Sequence, residues 1–251
     1  MSALGAALQV LAKRIDGDRV ISKGHLDIAT GTDLKSQEVI RAILMEAHPA
    51  HAFVAEEAGQ HVAPRAESYW LVDPICGTAN FASRLPLYCV NIALVERGCV
   101  VLGAVGDGAS GEVWVAERGR GAWTKRDTRM SRTSVADRSA ILVLDPGRPQ
   151  GVEAVRRSTV IQRAISDGRW GLRSFSSTVD LAYLAEGRVA GVWHPNTTAP
   201  LHFAAGTLLA AEAGALVSDE DGEPWSLAST TLVAAATPVI HDALLNWIPP
   251  R

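Results

Sequence analysis

The chain has 251 residues, 47% hydrophobic and 20% charged, the make-up of a soluble globular protein with room for a substantial core. A formal net charge of −3 without any basic run argues against nucleic acid or an anionic membrane surface as the main partner. No apolar segment approaches the roughly 18–20 residues that a membrane span needs, and three cysteines without a regular framework fit a reducing cytoplasm.

The N-terminus reads as a helix with Leu4, Leu8 and Leu11 on one face. It lacks the basic region that would make its apolar stretch a signal peptide. Helical periodicity returns from Asp33 to Ala47, with Val39, Ile40, Ile43 and Leu44 on one face. Ala52 to Ala55 is a short buried strand that delivers Glu56 and Glu57 at its end. Trp70 to Asp73 is a second strand. Val90 to Val95 and Val100 to Val105 form a hairpin through Glu96-Arg97-Gly98-Cys99. Glu112 to Ala116 follows as a strand, and Gly119 to Trp123 as a turn into another. Cys89, in an apolar run, and Cys99, beside a turn, read as structural.

The stretch Lys125 to Ser139 is polar and charged and predicts a boundary, dividing residues 1–130 from 131–251. Beyond it come a strand at Ala140 to Leu144, a helix at Gln150 to Asp167 and a strand-like run at Arg173 to Ser176. A helix at Val179 to Glu186 ends at Gly187, and Val189 to Trp193 is a strand. A helix at Ala204 to Ala213 is closed by Gly214. The strand-rich first half suggests α+β and the alternating second half α/β.

Residues 73–81 read Asp-Pro-Ile-Cys-Gly-Thr-Ala-Asn-Phe. Upstream lie Asp27-Ile-Ala-Thr-Gly-Thr-Asp33 and Ala55-Glu56-Glu57. Downstream lie the glycine-rich hairpin of Gly103 to Trp123, the segment Arg173 to Ala182, and Leu201-His202-Phe-Ala-Ala-Gly206. In this order and spacing the motifs resemble those of the inositol monophosphatase family. The resemblance covers most of the chain. It implies a layered α/β/α/β/α fold, a cleft near Asp73 and a homodimer acting on a small-molecule substrate, anionic or phosphorylated. By the same resemblance Glu56, Asp73 and the Ile75 carbonyl would hold a first magnesium ion. Thr78 and Asp33 would orient the attacking water, and Gly77, Thr78, Ser176 and Ser177 would bind substrate. Ser176 stands where the family has glycine.

Two positions depart from the pattern: Cys76 and His202 stand where the family has aspartates around a second ion. Magnesium prefers hard oxygen ligands and binds sulfur and imidazole poorly, so magnesium-dependent phosphate hydrolysis should be severely impaired. The expected cofactor is none, or a single weakly held magnesium; zinc, which accepts sulfur, nitrogen and oxygen, fits the same residues. Alternatively, Cys76 just ahead of a helix start would have a lowered pKa and could act as nucleophile, with His202 as proton partner and Asp73 as orienter. Backbone N–H groups of Gly77 and Thr78 would then hold an oxyanion. That arrangement would suit a transfer, condensation or cyclisation in a specialised biosynthetic pathway. The competing readings are a one-metal or zinc-dependent phosphomonoesterase and a ligand-binding pseudoenzyme. In the plainest case Asp33 only caps a helix, His202 is a core histidine and Cys76 is drift.

Overall fold

A computed structural model describes residues 1–13, 20–24, 27–56, 66–126, 128–135 and 139–250. Glu57 lies outside the described residues, as do Asp127, Asp137 and Arg138 of the charged stretch.

The first helices are α1 (Ser2–Lys13) and α2 (Gly31–Ala47), with a short hairpin, β1 (Val20–Gly24) and β2 (Asp27–Thr30), between them. A seven-stranded sheet follows: β3 (Ala52–Ala55), β4 (Ser68–Cys76), β5 (Cys89–Glu96), β6 (Cys99–Asp107), β7 (Val113–Glu117), β8 (Gly121–Arg126) and β9 (Arg129–Thr133), side by side in chain order. Only β3 and β4 run parallel; the rest form an antiparallel meander, as short hairpin connections require. One turn of helix, α3 (Thr78–Ala82), interrupts the path from β4 to β5.

The remainder comprises β10 (Ile141–Leu144), α4 (Gly151–Asp167), β11 (Gly171–Arg173), α5 (Val179–Ala185), β12 (Gly191–His194), α6 (Ala204–Glu212), β13 (Leu216–Ser218), β14 (Leu232–Ala235) and α7 (Pro238–Trp247). Its five strands form a mixed sheet in the order β11-β10-β12-β14-β13.

The helices form three layers around the two sheets. Leu4, Leu11, Ile40 and Leu44 of α1 and α2 pack on the outer face of the large sheet with Trp70, Val72 and Ile92. On its other face Leu71, Ala93 and Trp114 meet Val179, Ala205 and Leu209 of α5 and α6. The small sheet covers the far side of the same two helices through Val143, Val192 and Ala234. Val160 and Ala164 of α4, with Ile240 and Leu244 of α7, close its outer face. The result is the expected α/β/α/β/α stack. Each fully buried Leu or Ile contributes about 1.5–3 kcal/mol, so the four cores between layers carry the stability. The inner layer is tight: a Cβ on Gly103 of β6 would lie 2.6 Å from the Ala205 carbonyl of α6, so only glycine lets strand and helix approach this far.

Several strands and helices differ from the sequence expectation. The charged stretch after Lys125 contains β9, an edge strand whose residues are mostly exposed and therefore carry no apolar alternation. The strand expected at Arg173 to Ser176 ends at Arg173, because Ser176 takes a left-handed backbone, φ 50°, that a strand cannot hold. The buried run β14 and the C-terminal helix α7 complete the small sheet and its outer layer.

Candidate functional site

Pro74 shapes the centre of the site. It cannot donate to the ladder, and the β4–β5 pairing lapses between Asp73↔Asn91 and Cys76↔Cys89. Three residue steps on β4 face two on β5, a bulge that turns Ile75 and Cys76 toward the sheet's end. Ser36 of α2 donates to the Pro74 carbonyl at 3.2 Å and holds the bulge in place. Gly77 then turns the chain into α3 with φ 93°. A Cβ there would meet the Leu87 carbonyl at 2.8 Å, so the position admits only glycine.

Asp73, Cys76 and His202 converge from different elements. Asp73 is fully buried, and its Oδ2 lies 2.5 Å from His202 Nδ1. His202 comes from a 3-10 turn, Pro200–His202, that leads into α6, and its side chain is 28% exposed. One potential ligand atom from each of the three lies within 4.8 Å of the other two. The second carboxylate oxygen of Asp73, Oδ1, is buried with no hydrogen-bond partner among the described residues. Leaving such an oxygen unsatisfied costs about 1–3 kcal/mol or more.

The ionisation of the cluster runs against the expected reactive thiolate. A side-chain hydrogen bond to Cys89, then burial and the Asp73 carboxylate, push the Cys76 thiol well above its ordinary value; only His202 pulls it down. The helix meant to stabilise the anion, α3, is five residues long and offers little dipole. Burial alone would lower His202, but the Asp73 carboxylate beside it and contact with Cys76 hold it well above the ordinary histidine value. These shifts favour the neutral form of the Cys76 thiol and the protonated form of His202.

Asp33 and Thr78 also meet. The Thr78 hydroxyl lies 3.1 Å from Asp33 Oδ1 and 2.9 Å from the Ile75 carbonyl, either of which can take its proton. Asp33 takes part in capping α2, though at N3 and not at the N-cap position the plainer reading gave it: Thr30 is the N-cap, and Asp33 Oδ2 accepts from its amide at 2.8 Å in a reciprocal capping box. One carboxylate thus serves both jobs, one oxygen for the cap and the other for Thr78.

Glu56, Ile75, Cys76, Gly77, Thr78 and His202 line one cavity of about 770 Å³, which Ser176 and Ser177 also border. The Ser177 hydroxyl is already committed to the Cys76 carbonyl at 3.0 Å. The opposite wall is absent from the sequence reading. It includes Asp145, Arg148, Glu153, Arg157 and Asn196, from the loop after β10, the start of α4 and the end of β12. Arg157 is aimed by hydrogen bonds to the Pro146 carbonyl (2.8 Å) and Glu153 (3.2 Å). Thr178 is another addition: its hydroxyl lies 3.1 Å from Cys76 Sγ and its amide 3.4 Å. The run Ser176-Ser177-Thr178 was the available signal for it.

The layered fold, with a cavity of mixed charge beside a Pro-containing bulge, is that of the inositol monophosphatase class of structures. The family model for the inositol monophosphatase family matches residues 1–248, and the chain belongs to that family. An inositol-1-monophosphatase of Mesorhizobium japonicum is 36% identical over 234 residues, 92% of this chain and 86% of the relative. A protein of Salmonella typhimurium named Nus factor SuhB is 32% identical over 233 residues, with the same coverage. The crystal structure of the extragenic suppressor protein SuhB from Bartonella henselae superposes with a TM-score of 0.85 at 27% identity, covering 98% of this chain and 95% of that one.

The family implies magnesium, and the residues fit it only in part. Glu56 and Ile75 line the cavity and Asp73 carries the orphaned Oδ1; the two carboxylates and the Ile75 carbonyl are hard oxygen donors of the kind one magnesium ion takes. Cys76 and His202 supply sulfur and nitrogen where a second hard cation would need oxygen, and they do not fit it.

Proposed function

We propose that this protein hydrolyses a phosphate monoester of a small metabolite, with little turnover when magnesium is the only cation. The observation that carries the reading is the Asp33–Thr78 contact beside the Ile75 carbonyl, at the edge of the cavity. With its proton given to Asp33 or to the Ile75 carbonyl, the Thr78 hydroxyl keeps a lone pair for the cavity and can accept a hydrogen bond from a water there. That fixes the water's orientation and leaves its oxygen free to attack. Asp33, fully buried and held by Thr30, cannot turn away. A cation held by Glu56 and Asp73 would supply Lewis-acid stabilisation of the phosphoryl oxygens. The contact of His202 Nδ1 with Asp73 Oδ2 at 2.5 Å keeps the ring in one orientation at the cavity wall. Arg157 on the far wall adds positive charge for an anionic substrate, and the chain's net charge of −3 supports a small-molecule ligand over nucleic acid.

The non-hydrolytic alternative with Cys76 as nucleophile needs a thiolate. A buried thiol that accepts hydrogen bonds from Thr178 and is pushed toward its neutral form supports that reading less well. The test is phosphate release from a panel of sugar, inositol and nucleoside monophosphates, with magnesium, manganese or zinc as the added cation. Release that falls at least about 100-fold in Asp33→Asn and Glu56→Gln, while Cys76→Ser retains some turnover, is expected. Substrate consumed without phosphate release would transfer support to the non-hydrolytic reading. Ligand binding with no turnover under any cation would leave a binding protein.

A further inference from the structure

We infer that Asp73, Cys76 and His202 together form a binding site for one thiophilic divalent cation, with zinc the best match. The inference deepens the reading above by adding a cation on the Cys76 and His202 side of Asp73, distinct from the one that Glu56 and Asp73 would hold, and it stands on geometry. The three side chains bring one oxygen, one sulfur and one nitrogen to within 4.8 Å of each other. That mixed donor set suits zinc, which binds carboxylate oxygen, thiolate and imidazole at about 2.0–2.3 Å, and is poor for magnesium. Three protein ligands leave a fourth position, and because Cys76 and His202 line the cavity, that position opens onto it.

Two further observations point to a cation. Asp73 is fully buried, yet its Oδ1 has no hydrogen-bond partner among the described residues, so the carboxylate carries acceptor capacity that its neighbours leave unused. The sulfur, in turn, is set up as a ligand is. The Thr178 hydroxyl lies 3.1 Å and its amide 3.4 Å from Sγ. Asn91 Nδ2 donates to that hydroxyl at 2.9 Å, which leaves the hydroxyl proton for the sulfur. Outer contacts of this kind orient a thiolate and temper its charge. At His202 the cation would take the place of the proton between Nδ1 and Asp73 Oδ2, so the ring already faces the right way.

The test uses the full chain, stripped with a chelator and dialysed against zinc chloride or magnesium chloride, with bound metal counted by mass spectrometry. One zinc per chain is expected. Cys76→Ala and His202→Ala should each weaken zinc binding by more than about 100-fold, beyond what loss of an outer contact does. Thr178→Val should weaken it by about 10-fold. The double variant Cys76→Asp/His202→Asp should reverse the preference toward magnesium. Cobalt(II) serves as a second probe on the unmodified chain, where a thiolate-to-cobalt charge-transfer band should appear and vanish in Cys76→Ser. Zinc uptake no greater than in Cys76→Ala, or a cobalt spectrum without the thiolate band, overturns the inference. The cobalt spectrum decides even if a variant fails to fold. No step of this test reads phosphate release, so its failure leaves the phosphoester reading standing. A protein that holds zinc but cleaves no ester sinks only that reading.

Discussion

At Gly77 a single residue decides whether the site forms. Its left-handed backbone and the 2.8 Å approach that any Cβ would make to the Leu87 carbonyl leave no room for a side chain. Gly77→Ala should cost about 1–3 kcal/mol, read as a drop in the urea midpoint at unchanged slope. A cost below the error of the extrapolation would mean the β4–α3 turn has other conformations open to it. Cysteine labelling gives a second outcome at this scale. Cys99 is exposed, whereas Cys76 and Cys89 are buried. Iodoacetamide should modify Cys99 first and Cys76 only on unfolding, because both burial and the neutral thiol oppose reaction. Rapid labelling of Cys76 in the folded protein would restore the nucleophile reading. The identity of every residue in the Asp73–Cys76–His202 cluster was legible in the sequence, since motif spacing carries it. The protonation of the cluster was not, because it depends on burial and on Cys89, which reaches Cys76 from β5.

At the scale of elements, α2 shows how closely local structure and site are joined. Thr30 Oγ1 lies 2.6 Å from Asp33 Oδ2, and the reciprocal bonds of the capping box start the helix. Thr30→Ala should destabilise the fold by about 1 kcal/mol, measured by thermal melting. It should also lower turnover more than Thr30→Ser, which keeps the hydroxyl. Equal turnover in the two variants would separate the cap from the site. Strands β4 to β8 and helices α2, α4 and α6 could be read from apolar periodicity. Strand β9 could not, because Arg129, Met130, Ser131 and Arg132 are exposed at a sheet edge and carry no buried pattern. The far wall of the cavity escaped for a similar reason. Asp145, Arg148 and Asn196 sit in loops, and the sequence does not say which side of the fold those loops reach.

Across the whole molecule, the small sheet is tied to the inner helices by a buried ion pair. His194 of β12 lies 2.9 Å from Asp180 of α5, with Asp145 near enough to act on both. Burial would lower His194, but the Asp180 carboxylate raises it; burial raises Asp180 itself. With both groups raised, the native state keeps a proton that the unfolded chain releases. The His194 contribution is therefore complete below the ordinary histidine value of 6.5 and is lost as pH rises through its folded value, while the Asp180 contribution is complete only below 3.8 and is lost as pH rises above it. The limiting slope is about 1.4 kcal/mol per pH unit for one proton. Stability by denaturant titration should fall on the alkaline side, and Asp180→Asn/His194→Gln should shallow that fall. An unchanged slope in the double variant would assign the pH dependence elsewhere.

Asp73 comes from the large sheet, His202 from the turn that opens α6, and Arg157 from the layer outside the small sheet. A molecule seated among them would add a clamp between layers already joined by packed side chains and by polar contacts such as His194–Asp180 and Asp73–His202. The clamp would show in the protein's breathing. At a concentration about 100 times its dissociation constant, such a ligand adds about 2.7 kcal/mol to any opening that separates those layers. Amides of α5 and α6 that exchange only by such an opening should then exchange about 100-fold more slowly, while fraying at the edge strand β9 stays as fast as before. Hydrogen exchange could therefore screen candidate ligands before any reaction is known, with the middle helices as the reporter.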